Sequence, residues 1–129
     1  MIDGSTTITV AEYRALASAP KRHKYGIANV VDRTTPDGIV HHSAAEARRW
    51  VHLCYRLGAG EISQLCRQVR YPLVVNGQRV AWYVADFTYL DDHGRPVVED
   101  VKGVKTPLYA LKKRLMLACW GITLVEVQV

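Results

Sequence analysis

A chain of 129 residues holds one ordinary hydrophobic core, so any activity has to sit on a single scaffold or on its oligomer. Apolar residues at 49% and charged residues at 22% exclude a disordered, collagen-like or coiled-coil chain, and no apolar run approaches the roughly eighteen residues of a membrane span. Seventeen Lys and Arg against twelve Asp and Glu leave a net charge of +5, a balance that favours a polyanionic partner, nucleic acid first.

In chain order, Thr9-Val10-Ala11-Glu12 has the layout of a capping box and predicts a short peripheral helix through Tyr13, Leu16 and Ala17 to Pro20. The basic run Lys21-Arg22-His23-Lys24 closes this 1–24 extension, and one domain is expected over 25–129. Pro36-Asp37-Gly38, set between short apolar runs at 29–31 and 38–41, predicts a β-hairpin. Ser43-Ala44-Ala45-Glu46 is a second capping box. Trp50, Leu53, Cys54 and Leu57 follow at helical spacing, and Gly58-Ala59-Gly60 stops the helix.

Ile62, Leu65, Val69, Tyr71, Leu73 and Val75 then lead into Asn76-Gly77, the dipeptide suited to a type I′ turn, so two antiparallel strands should meet there. The outgoing strand over 79–90 ends in a turn at 91–96, which returns a third strand over 97–101. Thr106 and Pro107 open a second major helix with Leu108, Leu111, Leu115 and Ala118 as its apolar stripe, ending near Gly121. Residues 122–129 alternate as a terminal strand packed on its valine face. The predicted class is α/β in the sense of an α+β chain with a mixed sheet: helix, three antiparallel strands, helix, strand, preceded by an N-terminal helix and hairpin.

Two carboxylates interrupt apolar strands. Asp86 sits within Val84-Ala85-Asp86-Phe87 and Asp100 within Val98-Glu99-Asp100-Val101, where a buried unpaired charge costs several kcal/mol. Alternation puts Asp100 and Lys102 on one face, and pairing of the two strands brings Asp86 to a neighbouring position. Two such acids suit a hard cation such as Mg²⁺, with Lys102 beside the attacking water or the developing phosphate charge. The same spacing also suits a plain ion pair between Asp100 and Lys102. Glu46 lies four residues before Trp50 and seven before Leu53, on the helix face turned to the sheet, from which it could reach the same ion as well as cap the helix.

Glu46, Asp86 and Asp100-Val101-Lys102 together resemble the signature of the PD-(D/E)XK nuclease superfamily, and the order of elements resembles its restriction-endonuclease-like αβββαβ core. Pro36-Asp37-Gly38, Ser43-Ala44-Ala45-Glu46-Ala47, Gly60-Glu61-Ile62-Ser63, Tyr83-Val84-Ala85-Asp86-Phe87 and Glu99-Asp100-Val101-Lys102-Gly103 are similar to a phage and prophage family long described only as a domain of unknown function and placed among these nucleases. The proline that commonly precedes the first aspartate is Ala85 here. The resemblance implies a metal-dependent DNA endonuclease of phage or prophage recombination, with structure-selective cutting of branched DNA among the family's tasks. It implies Asp86, Asp100 and Glu46 as ligands of Mg²⁺ or Mn²⁺ and Lys102 as the residue that positions or activates water. A homodimer would serve to cut two strands. A DNA-binding or assembly module that keeps this fold without catalysis is the alternative.

Lys105, Lys112, Lys113 and Arg114 around the second helix, with Arg48 and Arg49 on the first, are the expected DNA-contacting rim. Glu99 faces away from Asp100 and reads as a surface or supporting residue, while Trp50 and Trp82 read as core. Cys54, Cys66 and Cys119, odd in number and free of C-x-x-C pairs, read as reduced core thiols. Residues 1–10 lack the basic-then-apolar layout of a secretion signal, so the chain is expected in the cytoplasm, off the membrane.

Overall fold

The structure, a computed structural model, describes residue 10 and residues 29–128. The predicted N-terminal helix, apart from Val10, and the basic run at 21–24 lie outside the described residues. The elements run α1 (Ala44–Gly58), β1 (Ser63–Val75), β2 (Gln78–Leu90), β3 (Pro96–Val101), α2 (Pro107–Trp120) and β4 (Val125–Val127). This is the expected αβββαβ order in a mixed α+β chain. No helix among the described residues is long and apolar enough to cross a membrane.

Local chemistry sets the boundaries. The Ser43 hydroxyl accepts the Glu46 N–H at 3.1 Å and so starts α1, and Gly60, at φ 75°, turns the chain away from its end. Asn76 and Gly77 both hold positive φ, 49° and 76°, as the two-residue turn between β1 and β2 requires. The Thr106 hydroxyl accepts from the Tyr109 N–H, Pro107 occupies the first turn, and Gly121 at φ 65° closes α2.

The four strands lie in the order β1-β2-β3-β4, the first three antiparallel and β4 parallel to β3. A parallel neighbour needs a crossover, and α2 is that crossover. Two buried clusters result: Leu53, Ile62, Phe87 and Tyr89 with α1, and Leu73, Tyr83, Ala85, Val98, Met116 and Leu124 with α2. Strand β2 serves both clusters, giving Tyr83 and Ala85 to one and Phe87 and Tyr89 to the other, so its interior side changes at Asp86. Across from that point Gln68 falls between the pairs Arg67–Phe87 and Val69–Ala85 and takes a left-handed φ of 53°.

Four expectations are corrected. The hairpin around Pro36-Asp37-Gly38 is reduced to one bridge between Thr34 and Val40, because residues 30–34 form successive turns instead of a strand. On α2 only Leu115 of the predicted stripe packs inward, while Leu108 is 60% and Leu111 52% exposed and Ala118 is exposed as well, and the sheet is met through Tyr109, Leu115 and Met116. That helix is apolar on several sides, so spacing alone did not select the buried one. The last strand spans only Val125–Val127, and it is Ile122 and Leu124, just ahead of it, that pack inward while Val125 is exposed, the reverse of the valine face expected. Cys66 is exposed and Cys54 and Cys119 only half-buried; all three are free thiols.

Candidate active site

The register of β2 and β3 pairs Phe87 with Glu99 and Thr88 with Val98, and one step further brings Asp86 opposite Asp100. Both aspartates are buried, as is Glu46 at the start of α1. The Val101 N–H donates to Asp86 Oδ2 at 2.8 Å, which fixes one carboxylate to the strand that carries the other. Lys102 Nζ lies 2.7 Å from Asp100 Oδ2, with only about a tenth of either side chain exposed, and sits 3.4 Å from the centre of the Tyr109 ring. Thus the four predicted residues, contributed by α1, β2 and the end of β3, are gathered in one region.

Glu46 is delivered by the segment that precedes its helix. The Arg33 guanidinium donates to the His41 carbonyl, the Trp50 indole N–H to Asp37 at 2.7 Å, and Thr35 to Asp37, tying the 33–41 loop to α1. The His42 N–H then reaches Glu46 Oε2 at 3.4 Å. The Glu46 carboxylate therefore does not return to Ser43 as a reciprocal cap would; it stays near the aspartates.

Burial pushes the Asp86 carboxyl well above the usual carboxylate range, reinforced by a hydrogen bond with Asp100 and by the charges of Glu46 and Asp100, with the Val101 N–H opposing. Such an acid binds its proton more tightly folded than unfolded. Its contribution to stability is greatest below the unfolded value near 3.8 and is lost as pH rises through the raised value. Asp86→Asn keeps an acceptor for Val101 and removes the charge, so the metal-free protein should gain on the order of 1–2 kcal/mol at pH 8 and little at pH 4. Thermal unfolding in EDTA at the two pH values checks this; an equal shift at both would assign the gain to packing.

Among the described residues no three His, Cys, Asp or Glu side chains are arranged as a ready set of metal ligands. Asp86 and Asp100 nonetheless supply two hard oxygen donors, the complement Mg²⁺ ordinarily takes from protein beside water and phosphate oxygens. Beside burial, the charges of Glu46 and Asp100 help to raise Asp86, and a cation between these carboxylates would relieve that repulsion. On that chemistry the residues fit a hard divalent cation, which Asp86 and Asp100 would hold with Glu46 at its side.

Of the expected basic rim, Arg114 and Arg48 are exposed and Lys112 is half-buried. Lys105 and Lys113 are both paired to Glu126 on β4. Arg49 leaves the rim: its guanidinium makes a two-pronged ion pair with Glu99 at 2.8 and 2.7 Å, and only 13% of its side chain is exposed. Glu99, expected at the surface or behind the motif, is fully buried and also receives the Tyr89 hydroxyl.

Residues 22–122 match the family described as "Protein of unknown function (DUF1064)". The chain belongs to that family. No curated protein and no solved structure matches it.

In this DUF1064 chain the site also contains groups that the sequence did not single out. The Tyr83 hydroxyl is buried beside Asp100 and the Tyr109 hydroxyl lies near Asp100 and Glu126, neither in a well-formed hydrogen bond, and burial first, then the nearby acids, raises both phenols. Glu126 stands opposite Asp100 in the parallel register of β3 and β4. Its carboxyl is held below the usual range by the hydrogen bond from Lys113 and, after that, by Lys105. The parallel pairing of β3 with β4 carries a signal for Glu126, but only once the strand neighbours are known.

Proposed function

We propose that the chain is a Mg²⁺-dependent deoxyribonuclease that hydrolyses phosphodiester bonds, with branched DNA such as junctions as the substrate class. The observation that carries this reading is the pair of aspartates on adjoining strands with the Lys102 ammonium 2.7 Å from one of them. The likeness of Glu46, Asp86 and Asp100-Val101-Lys102 to the PD-(D/E)XK nuclease signature supports it, and so does the net charge of +5.

A divalent cation at Asp86 and Asp100 would polarise the scissile phosphate and acidify a water molecule. Glu46 adds negative charge on the helix side and orients what binds between helix and sheet. Lys102, confined by Asp100 and the Tyr109 ring, is held where its charge offsets the charge that grows on phosphate during attack. One such site makes one cut, so resolving a two-strand substrate calls for a second copy of the chain, and a homodimer belongs to the proposal.

The test is a panel of duplex, single-stranded, flap and four-way-junction DNAs incubated with Mg²⁺, Mn²⁺ or EDTA. Cleavage of at least one member, abolished by EDTA, is the expected outcome; intact DNA under every metal condition sinks the catalytic reading. A second reading, a non-catalytic DNA-binding or assembly module, is favoured by the ammonium being already committed to Asp100. Its mark would be salt-sensitive binding indifferent to Mg²⁺ and to loss of Lys102.

A further inference from the structure

The β1–β2 hairpin runs past both clusters. Leu73 and Ala81 are its last residues packed in the core, and residues 74–80 are all exposed. Between the pairs Leu73–Ala81 and Val74–Arg79 the register slips by one, leaving Val80 as an extra residue. A one-residue slip inverts which side chains share a face. Arg79 is therefore moved onto the side of Trp82, and its guanidinium lies 4.7 Å from the centre of that indole. Arg70, diagonal to Trp82 across the strand pair, lies 4.4 Å from the same ring. Trp82 is thus half-buried under two arginines and not a core residue as its position in the sequence suggested.

Neither arginine has an acidic partner among the described residues. Two like charges gathered on one indole repel each other, and an anion shared between them relieves that repulsion. Guanidinium is the group best matched to a phosphodiester, since its planar fork donates two parallel hydrogen bonds while its face stays stacked. Trp82 is four residues before Asp86 on the same strand, about 13 Å along it, well within one turn of a duplex.

We infer that the Arg70–Trp82–Arg79 stack is a DNA-backbone contact that seats a flanking phosphate while the acids face the phosphate to be cut. This deepens the nuclease reading and rests on it for the identity of the polyanion. The basic rim foreseen around α2 is in part neutralised by Glu126, which leaves this stack as a separate source of affinity.

The experiment measures binding of labelled duplex and junction DNA by anisotropy in EDTA across a salt series. Arg70→Ala/Arg79→Ala should weaken binding roughly 10–50-fold near 0.1 M salt and flatten the slope of log K against log salt by about two. Arg70→Lys/Arg79→Lys should keep the slope yet lose part of the affinity, because ammonium neither stacks nor forks. Wild-type affinity and slope in the alanine pair, with unchanged circular dichroism, would overturn the inference and leave the nuclease reading standing. A wild type that does not bind DNA would overturn both. Binding that depends on the stack in a protein that cleaves nothing would keep the inference and remove the catalysis.

Discussion

Asp100→Asn is expected to reduce DNA cleavage in Mg²⁺ by on the order of 10³-fold while duplex binding in EDTA stays close to wild type. The substitution keeps the shape of the side chain and removes one of two adjoining carboxylates from the site. It also leaves the Lys102 ammonium, barely exposed, without its 2.7 Å partner, so some destabilisation accompanies it. Lys102→Met separates the two effects: it removes the ammonium while retaining its apolar stem, and should reduce cleavage by about 10²–10³-fold. Single-turnover cleavage of a junction, read beside thermal unfolding, decides the matter. Full activity in either variant, with the fold intact, would take the motif out of the mechanism.

Arg49→Ala should be the most damaging single change to stability, costing about 3–5 kcal/mol out of a total of roughly 5–15. The Glu99 carboxylate is fully buried and holds both prongs of the Arg49 guanidinium, so removal of the arginine strands a charge in the interior. The paired change Arg49→Met/Glu99→Gln should recover most of that loss, since no uncompensated charge is left. Urea unfolding of the three variants checks this, and a loss under 1 kcal/mol for Arg49→Ala would show that the pair contributes little. The consequence reaches the site: Arg49 is three residues after Glu46 on α1, and Glu99 directly precedes Asp100 on β3. The ion pair thus pins the helix that bears one acid to the strand that bears another.

The elements were legible in the sequence wherever backbone chemistry is local. Ser43, Asn76-Gly77, and Thr106 with Pro107 each specify a cap or a turn by themselves, and the order of helices and strands followed from them. Facing was less legible. On α2 several apolar faces compete, and only the neighbouring sheet decides that Met116 is buried while Leu108 and Leu111 are not. The gathering of Asp86, Asp100 and Lys102 was readable because alternation and one turn suffice to derive it. The inward turn of Arg49, the partnership of Glu126 with two lysines and the Arg–Trp–Arg stack were not readable. They depend on pairing across strands, and in the last case on a slipped register that leaves no mark in the amino-acid pattern.

The parallel placement of β4 has a kinetic side. The meander of β1, β2 and β3 joins segments close in sequence, whereas β4 pairs with β3 only after α2 has folded back across the sheet, a closure with a larger entropic cost. The Lys102 N–H is bound to the Val127 carbonyl at 2.9 Å, so the backbone beneath the lysine is anchored by the segment expected to arrive last. A nascent or refolding chain would accordingly assemble its acids before its amine is fixed, and completion of the candidate site would trail compaction.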